Sequence, residues 1–258
     1  MKGSQFGYLL VVLMTLALCA CSDDGFDEPR AVIDLSPTMG EGFIAQTLGN
    51  KAQEHWGREV VIENHGTEEP FFVAISYVTL ATHVGPHVDP PNHVIKDAKG
   101  ADQLSLGKFF GKARVLDFRN KPKDTPLLAS DFEDKGIEAE DIVIAFVGYT
   151  PPTEPDELPL YAYLSEEGAE YLANIPVKAF ASDMPSIGSI RLAAELLPRG
   201  EFPGPLEHLA FLSREIPNIE GLSNLETIVG EEKIVFVGFP LKIENGNGGP
   251  MRAVAFVY

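Results

Sequence analysis

Between Thr82 and His93 the chain reads THVGPHVDPPNH, placing three of its six histidines and one aspartate within eleven residues. No other stretch gathers imidazole and carboxylate so densely. These groups are ligands for zinc, manganese and similar divalent ions, and a set without thiolate suits a site that leaves coordination positions open for water. His83, His87, Asp89 and His93 stand at offsets 0, 4, 6 and 10, so a straight strand would put all four on one face. It would also spread them too widely. At roughly 3.3 Å per residue, four residues span about 13 Å, whereas ligands of one ion lie within about 4 Å of each other. Gly85, Pro86, Pro90 and Pro91 supply bends and exclude a regular helix. A solvated, turn-rich loop could carry the same histidines, so this segment alone leaves both readings open.

A bent ligand segment needs rigid elements around it. Ala31–Leu35 and Phe71–Leu80 read as strands, the second running straight into the histidines. Phe43–Gly57, with the single Trp56, is a short helix or a flap-like loop, and Phe43 and Trp56 pack there. Ala113–Phe118 is strand-like, Ser130–Glu133 matches a capping box, and Asp141–Val147 is a continuous apolar run typical of a strand buried on both faces. Ser165 opens a helix reaching Asn174. Val177–Ala181, Leu206–Ser213, Leu222–Val229, Ile234–Phe239 and Ala253–Val257 follow as strand, helix, helix, strand and strand. The alternation predicts an α/β domain, with the Pro-rich segments 150–159 and 199–205 as loops at one rim. His55 and His65 lack partners at useful spacing and read as surface or packing residues.

With 258 residues, 45% of them hydrophobic, the chain has material for one sizeable core. Twenty Lys and Arg against 38 Asp and Glu give a net charge of -18, which repels phosphate backbones and disfavours nucleic-acid binding. Residues 1–20 hold a basic Lys2 and then an apolar run shorter than the roughly 20 residues of a spanning helix, the pattern of a secretory signal. Leu18-Cys19-Ala20-Cys21 resembles the lipobox of bacterial lipoproteins, which implies lipid on Cys21, an acidic tether over residues 21–30 and a domain over 31–258. The expected location is the cell envelope, on the outer membrane, facing the periplasm or the cell surface. Cleavage would remove Cys19 and acylation would occupy Cys21, so no thiol would remain for a disulfide.

The histidine segment resembles the HxGTHxDxPxH signature of the cyclase-like metal hydrolases, the family that includes bacterial kynurenine formamidase and isatin hydrolase. His83, Gly85, His87, Asp89, Pro91 and His93 match it in place. His208 and Glu220, twelve residues apart, match a downstream His and Glu of the family. Asp34-Leu35-Ser36, Asp183-Met184-Pro185-Ser186 and the segments 240–243 and 249–252 resemble its further motifs in order. The resemblance implies a single α/β domain of the swivelling β/β/α type with a mixed central sheet, assembled as a homo-oligomer. It also implies one or two divalent ions, zinc or manganese, activating water for attack on an amide or lactam carbonyl of a small molecule. By the same resemblance, His83, His87 and Asp89 hold a first ion, and Asp89, His208 and Glu220 hold or approach a second. His93 transfers the proton with Glu220 as its partner, and Asp183 and Ser186 contact the substrate. A neutral imidazole, with an ordinary pKa near 6.5, can take and return a proton at neutral pH.

Pro86 stands where the signature has threonine, removing a hydroxyl and a backbone N–H, and Met184 and Gly249 replace the family's more usual Thr and Ser. Two rivals remain at this point. One is a lipoprotein that keeps the fold to bind a ligand without turnover. The other is a metal-dependent cyclase or lyase using the same ion.

Overall fold

The apolar run ending at Val147 forms a strand, Ile142–Phe146, with every residue buried, and the rest of the sheet is laid down around it. The computed structural model describes residues 27–48, 59–67, 72–154 and 157–258. Residues 1–20, expected to be a signal, Cys21, most of the expected tether over 21–30, His55 and Trp56 lie outside them. In chain order the strands are β1 (Ala31–Asp34), β2 (Val61–Thr67), β3 (Val73–Thr79), β4 (His87–Asp89), β5 (Phe110–Asp117), β6 (Pro126–Leu127), β7 (Ile142–Phe146), β8 (Tyr163–Leu164), β9 (Ala179–Ser182), β10 (Asn218–Glu220), β11 (Ile234–Val237), β12 (Gly249–Pro250) and β13 (Val254–Val257). The helices are α1 (Phe43–Leu48), α2 (Ala129–Phe132), α3 (Glu166–Asn174), α4 (Ile190–Leu196) and α5 (Leu206–Leu212).

Nine strands form one mixed sheet in the order β1-β13-β11-β5-β7-β9-β10-β4-β12. β5, β7, β9 and β10 run parallel, and antiparallel pairs continue the sheet on both sides. Period-two alternation sorts the core into two layers. Val143, Ala145 and Phe180 face a cluster closed by Phe43 and Ile44 of α1, Phe132 of α2, Leu172 of α3 and Phe211 of α5. Ile142, Ile144, Ala179 and Ala181 face a second cluster that includes Phe109, Ile219, Leu225, Phe236 and Ala255. The sheet therefore carries helices on one layer and, on the other, irregular segments with side chains of its flanking antiparallel strands, a mixed α/β architecture as expected.

Local chemistry explains most boundaries. Ser165 caps α3 by accepting from Gly168 N–H at 3.0 Å, and Glu166 and Glu167 sit in the first turn, where negative charge meets the helix dipole. Two expectations need correction. The capping box assigned to Ser130 starts two residues earlier: Ser130 lies inside α2, and Asp131 reaches back to accept from Leu128 N–H at 2.8 Å. Leu222–Val229 is not a helix but coil with a single 3-10 turn, Leu225–Thr227, entered through Asn224 in the left-handed region. Leu222, Leu225 and Ile228 are nevertheless buried, so their spacing reports core contact and not a helix.

Candidate metal centre

β4 and β10 pair antiparallel with His87 opposite Glu220 and Asp89 opposite Asn218. Opposed residues share a face of the sheet, and residues two apart stay on it, so four buried polar side chains point one way while Val88 and Ile219 turn to the core. Sheet pairing thus collects what the offsets along the chain could not. Pro91 begins a 3-10 turn, Pro91–His93, that swings His93 back toward His83, with ring centroids 4.3 Å apart. α5 brings His208 from another layer, its ring 5.7 Å from that of His93.

Gly85, at φ +59°, turns the chain into β4, and its carbonyl accepts from His87 Nδ1–H at 2.8 Å. A carbonyl can only accept, so Nδ1 carries a proton and Nε2 is the nitrogen turned to the cluster. Gly221 guards that contact. It sits at φ +72°, and a Cβ there would lie 2.6 Å from the Gly85 carbonyl oxygen, so both backbone and space demand glycine. His87 Nε2 stands 3.5 Å from Asp89 Oδ1 and 3.4 Å from Glu220 Oε2. His208 Nε2 stands 3.6 Å from Asp89 Oδ2 and 3.4 Å from Glu220 Oε1. His83 Nδ1–H donates to Asp89 Oδ1 at 2.8 Å, and Glu220 Oε1 accepts from Ile187 N–H at 2.8 Å.

Two sets of three donor atoms lie within 4.8 Å of one another: His83, Asp89 and His93, and His87, Asp89 and Glu220. Asp89 belongs to both. This grouping places His87 with Glu220 rather than with His83, and brings His93 among the ligand atoms. His87 Nε2 and Asp89 Oδ2 are buried without a hydrogen-bond partner, an expensive arrangement that a cation between them would relieve. The donor set therefore fits a divalent ion, or two ions sharing Asp89.

Electrostatics points the same way. Burial works against the charge on Asp89, yet His208, His83 and His87 hold its carboxyl well below the usual range. Glu220 is lowered too, against burial and the repulsion of Asp89, by His208 and His87. Burial disfavours protonation of His87, but Asp89 and Glu220 raise its pKa to about 10, and His208 is raised well above its ordinary value in the same way. Two buried carboxylates demand positive charge, and protons on the imidazoles compete with a metal ion to supply it. His93 moves in the other direction. Lost hydration lowers its pKa, with His83 and His208 adding to the effect against Asp89, so at neutral pH it is an uncharged base.

Two cavities adjoin the cluster. One of about 280 Å³ is lined by His83, His87, Phe43, Tyr149 and Asp183. The other, about 590 Å³, is lined by His93, His208, Ser186, Glu207, Leu192 and Phe202. Asp183 reaches the first, but both of its oxygens are engaged: they accept from Val147 N–H at 2.9 Å and Tyr149 N–H at 2.7 Å. Burial outweighs these donors and lifts its pKa to about 6. Ser186, half-buried, faces the second cavity. Pro86 keeps its carbonyl bonded to Met251 N–H at 2.8 Å, so the departure from the signature leaves β4 anchored. Gly249 pairs with Val88 where a Cβ would lie 2.6 Å from Pro240.

Sequence reasoning missed Glu207, Asn218 and Gly221. Asn218 is fully buried with neither amide atom paired, on the face shared with Glu220, and only the period-two step along β10 signals it. Glu207 precedes His208 directly, and Gly221 follows Glu220.

Comparison with known proteins agrees with this geometry. The model of the Cyclase family matches residues 33–189, more than half of the chain, including the whole segment from His83 to His93. A kynurenine formamidase of Salinibacter ruber is 31% identical over 227 residues, covering 87% of this chain and 96% of that protein. One from Delftia acidovorans is 27% identical over 188 residues, covering 70% and 79%. Among solved structures, an isatin hydrolase bound to the product analogue thioisatinate shares the fold with a TM-score of 0.67 at 22% identity, covering 88% of this chain and 92% of that one. Isatin hydrolase A of Labrenzia aggregata shares it with a TM-score of 0.68 at 20% identity, covering 88% and 93%. With its histidine segment inside the matched model and the Salinibacter ruber protein matched over 96% of its length at 31% identity, the chain belongs to the Cyclase family.

Proposed function

We propose that this protein is a divalent-metal-dependent hydrolase that opens the carbon–nitrogen bond of a small amide or lactam. The observation that carries the reading is the buried pair Asp89 and Glu220 facing His87 and His208, with His87 Nε2 and Asp89 Oδ2 unpaired. His83, His87, Asp89, His208 and Glu220 would hold one or two ions, and a nitrogen and oxygen donor set without sulfur suits zinc or manganese. A bound divalent ion supplies a Lewis acid for the carbonyl and lowers the pKa of water to about 7. His93, neutral and with an open edge on the larger cavity, takes a proton at its free ring nitrogen and returns it to the leaving nitrogen. Leu192 and Phe202 give that cavity an apolar wall for an aryl or similar group, and Ser186 gives it a hydroxyl. The relatives' names, kynurenine formamidase and isatin hydrolase, support the substrate class of arylformamides and fused-ring lactams.

We further propose that the chain is exported and anchored in the outer membrane by lipid on Cys21. Among the described residues no helix is long and apolar enough to cross a membrane. Growth with a labelled fatty acid should label the chain, and Cys21→Ser should abolish the label. Homo-oligomeric assembly is supported by the β2–β3 hairpin, whose Ile75 and Tyr77 are 57% and 61% exposed. Hydrolysis itself is tested in water enriched in oxygen-18 with N-formyl arylamines and small lactams, wild type beside Glu220→Gln. One solvent oxygen in the released formate or ring-opened carboxylate is expected. Ring closure without incorporation would identify a cyclase, and binding without product a non-catalytic protein.

A further inference from the structure

Glu207 and His208 are neighbours at the start of α5, yet Glu207 bends back so that its Oε1 lies 3.0 Å from His208 Nδ1. The carboxylate is largely enclosed, and among the described residues no lysine or arginine lies within ion-pair distance of it. An enclosed carboxylate whose ionic partner is an imidazole is costly unless that contact is needed. The space it occupies is kept open by Gly188. A Cβ on Gly188 would stand 2.0 Å from Glu207 Oε1, and the Gly188 backbone is itself fixed by Tyr161 O–H, which donates to the Gly188 carbonyl at 2.7 Å. Two segments distant in sequence thus cooperate to put one oxygen on one ring nitrogen.

From this we infer that Glu207, seated against Gly188, is a positioning residue for the metal centre, holding His208 with Nδ1 protonated and Nε2 directed at Asp89 and Glu220. A carboxylate only accepts, so the tautomer follows. The oxygen also fixes the ring plane and makes Nε2 a better donor, and losing such a partner typically weakens metal binding about 10–100-fold. His87 receives the same service from the Gly85 carbonyl, so both buried imidazoles of the cluster are oriented through Nδ1. The inference rests on the proposed metal centre and adds a residue that acts on the metal through the His208 ring and not as a ligand.

The test is zinc affinity, measured by competition with a chromophoric chelator on the folded full-length protein, with no substrate present. Glu207→Ala should weaken zinc about 10–100-fold, Glu207→Gln, which keeps an acceptor oxygen, should recover most of it, and Gly188→Ala should weaken it by displacing the carboxylate. Joining Gly188→Ala to Glu207→Ala should add little, because both remove one contact. Should Glu207→Ala fail to fold, Gly188→Ala and Glu207→Gln decide. Wild-type affinity in Glu207→Ala and Gly188→Ala overturns the inference alone, as does a Glu207→Gln variant as weak as the alanine one. A wild type that binds neither zinc nor manganese overturns this inference and the proposed function together.

Discussion

Asp89 is the residue on which both ligand sets converge, and its neighbours make the cluster a competition between protons and metal. The sign of the pH dependence follows. His87 rises from 6.5 to about 10, so without metal its contribution to stability is complete below about 6.5 and is lost as pH climbs toward 10. Metal binding needs Nε2 free of its proton, so zinc affinity should increase over the same interval, with protons released on binding. Thermal unfolding with a chelator present should therefore show a melting temperature falling from pH 6.5 to 10, while calorimetry in buffers of different ionisation enthalpy reports the protons. A zinc affinity independent of pH would contradict the exchange. His93 has another part: His93→Ala should keep the ion held by His87, Asp89 and Glu220 while hydrolysis slows by about 10²–10⁴-fold, separable by metal analysis and turnover on the same sample.

Among the elements, the β4–β10 pair does the assembling, and the Gly85–Gly221 contact locks it. Gly221→Ala would force both an unfavourable φ and a clash with the carbonyl that orients His87. We expect roughly 1–3 kcal/mol of destabilisation, read by denaturant unfolding of the metal-free protein, together with weaker zinc binding. Asp183→Ala strands the N–H groups of Val147 and Tyr149 and should also cost roughly 1–3 kcal/mol, because Asp183 holds the end of β7. What could be read from sequence divides along the same lines. Strands buried on both faces, such as β7, and the Ser165-capped α3 announce themselves through local pattern and capping. The bend between His83 and His93 followed from reach alone. The meeting of His87 with Glu220 did not, since pairing between residues 133 apart in the chain leaves no local trace. Nor did the fate of Leu222–Val229, where buried apolar residues imitate a helix that the coil into Leu225 replaces. Glu207 was hidden for a similar reason: its role depends on Gly188, in a different segment.

At the scale of the molecule, a strongly acidic chain builds a sheet with a cation-seeking cluster near one end and a hairpin whose residues are open to solvent. A two-stranded ribbon is marginal by itself, and Val73, Ile75, Tyr77 and Val78 are exposed on β3. Covering by a second copy would bury them. Ile75→Glu with Tyr77→Glu should shift the protein to monomers in sedimentation velocity while leaving zinc affinity near wild type, whereas an unchanged assembly would place the contact elsewhere. Asp89, as the ligand shared by both donor sets, is the residue on which the metal centre stands or falls. Elemental analysis of wild type and Asp89→Asn, each incubated with zinc and manganese and freed of unbound ions, settles it. We predict one or two ions per wild-type chain and none in the variant. Wild type emerging without metal, or Asp89→Asn retaining a full complement, would contradict the centre described here.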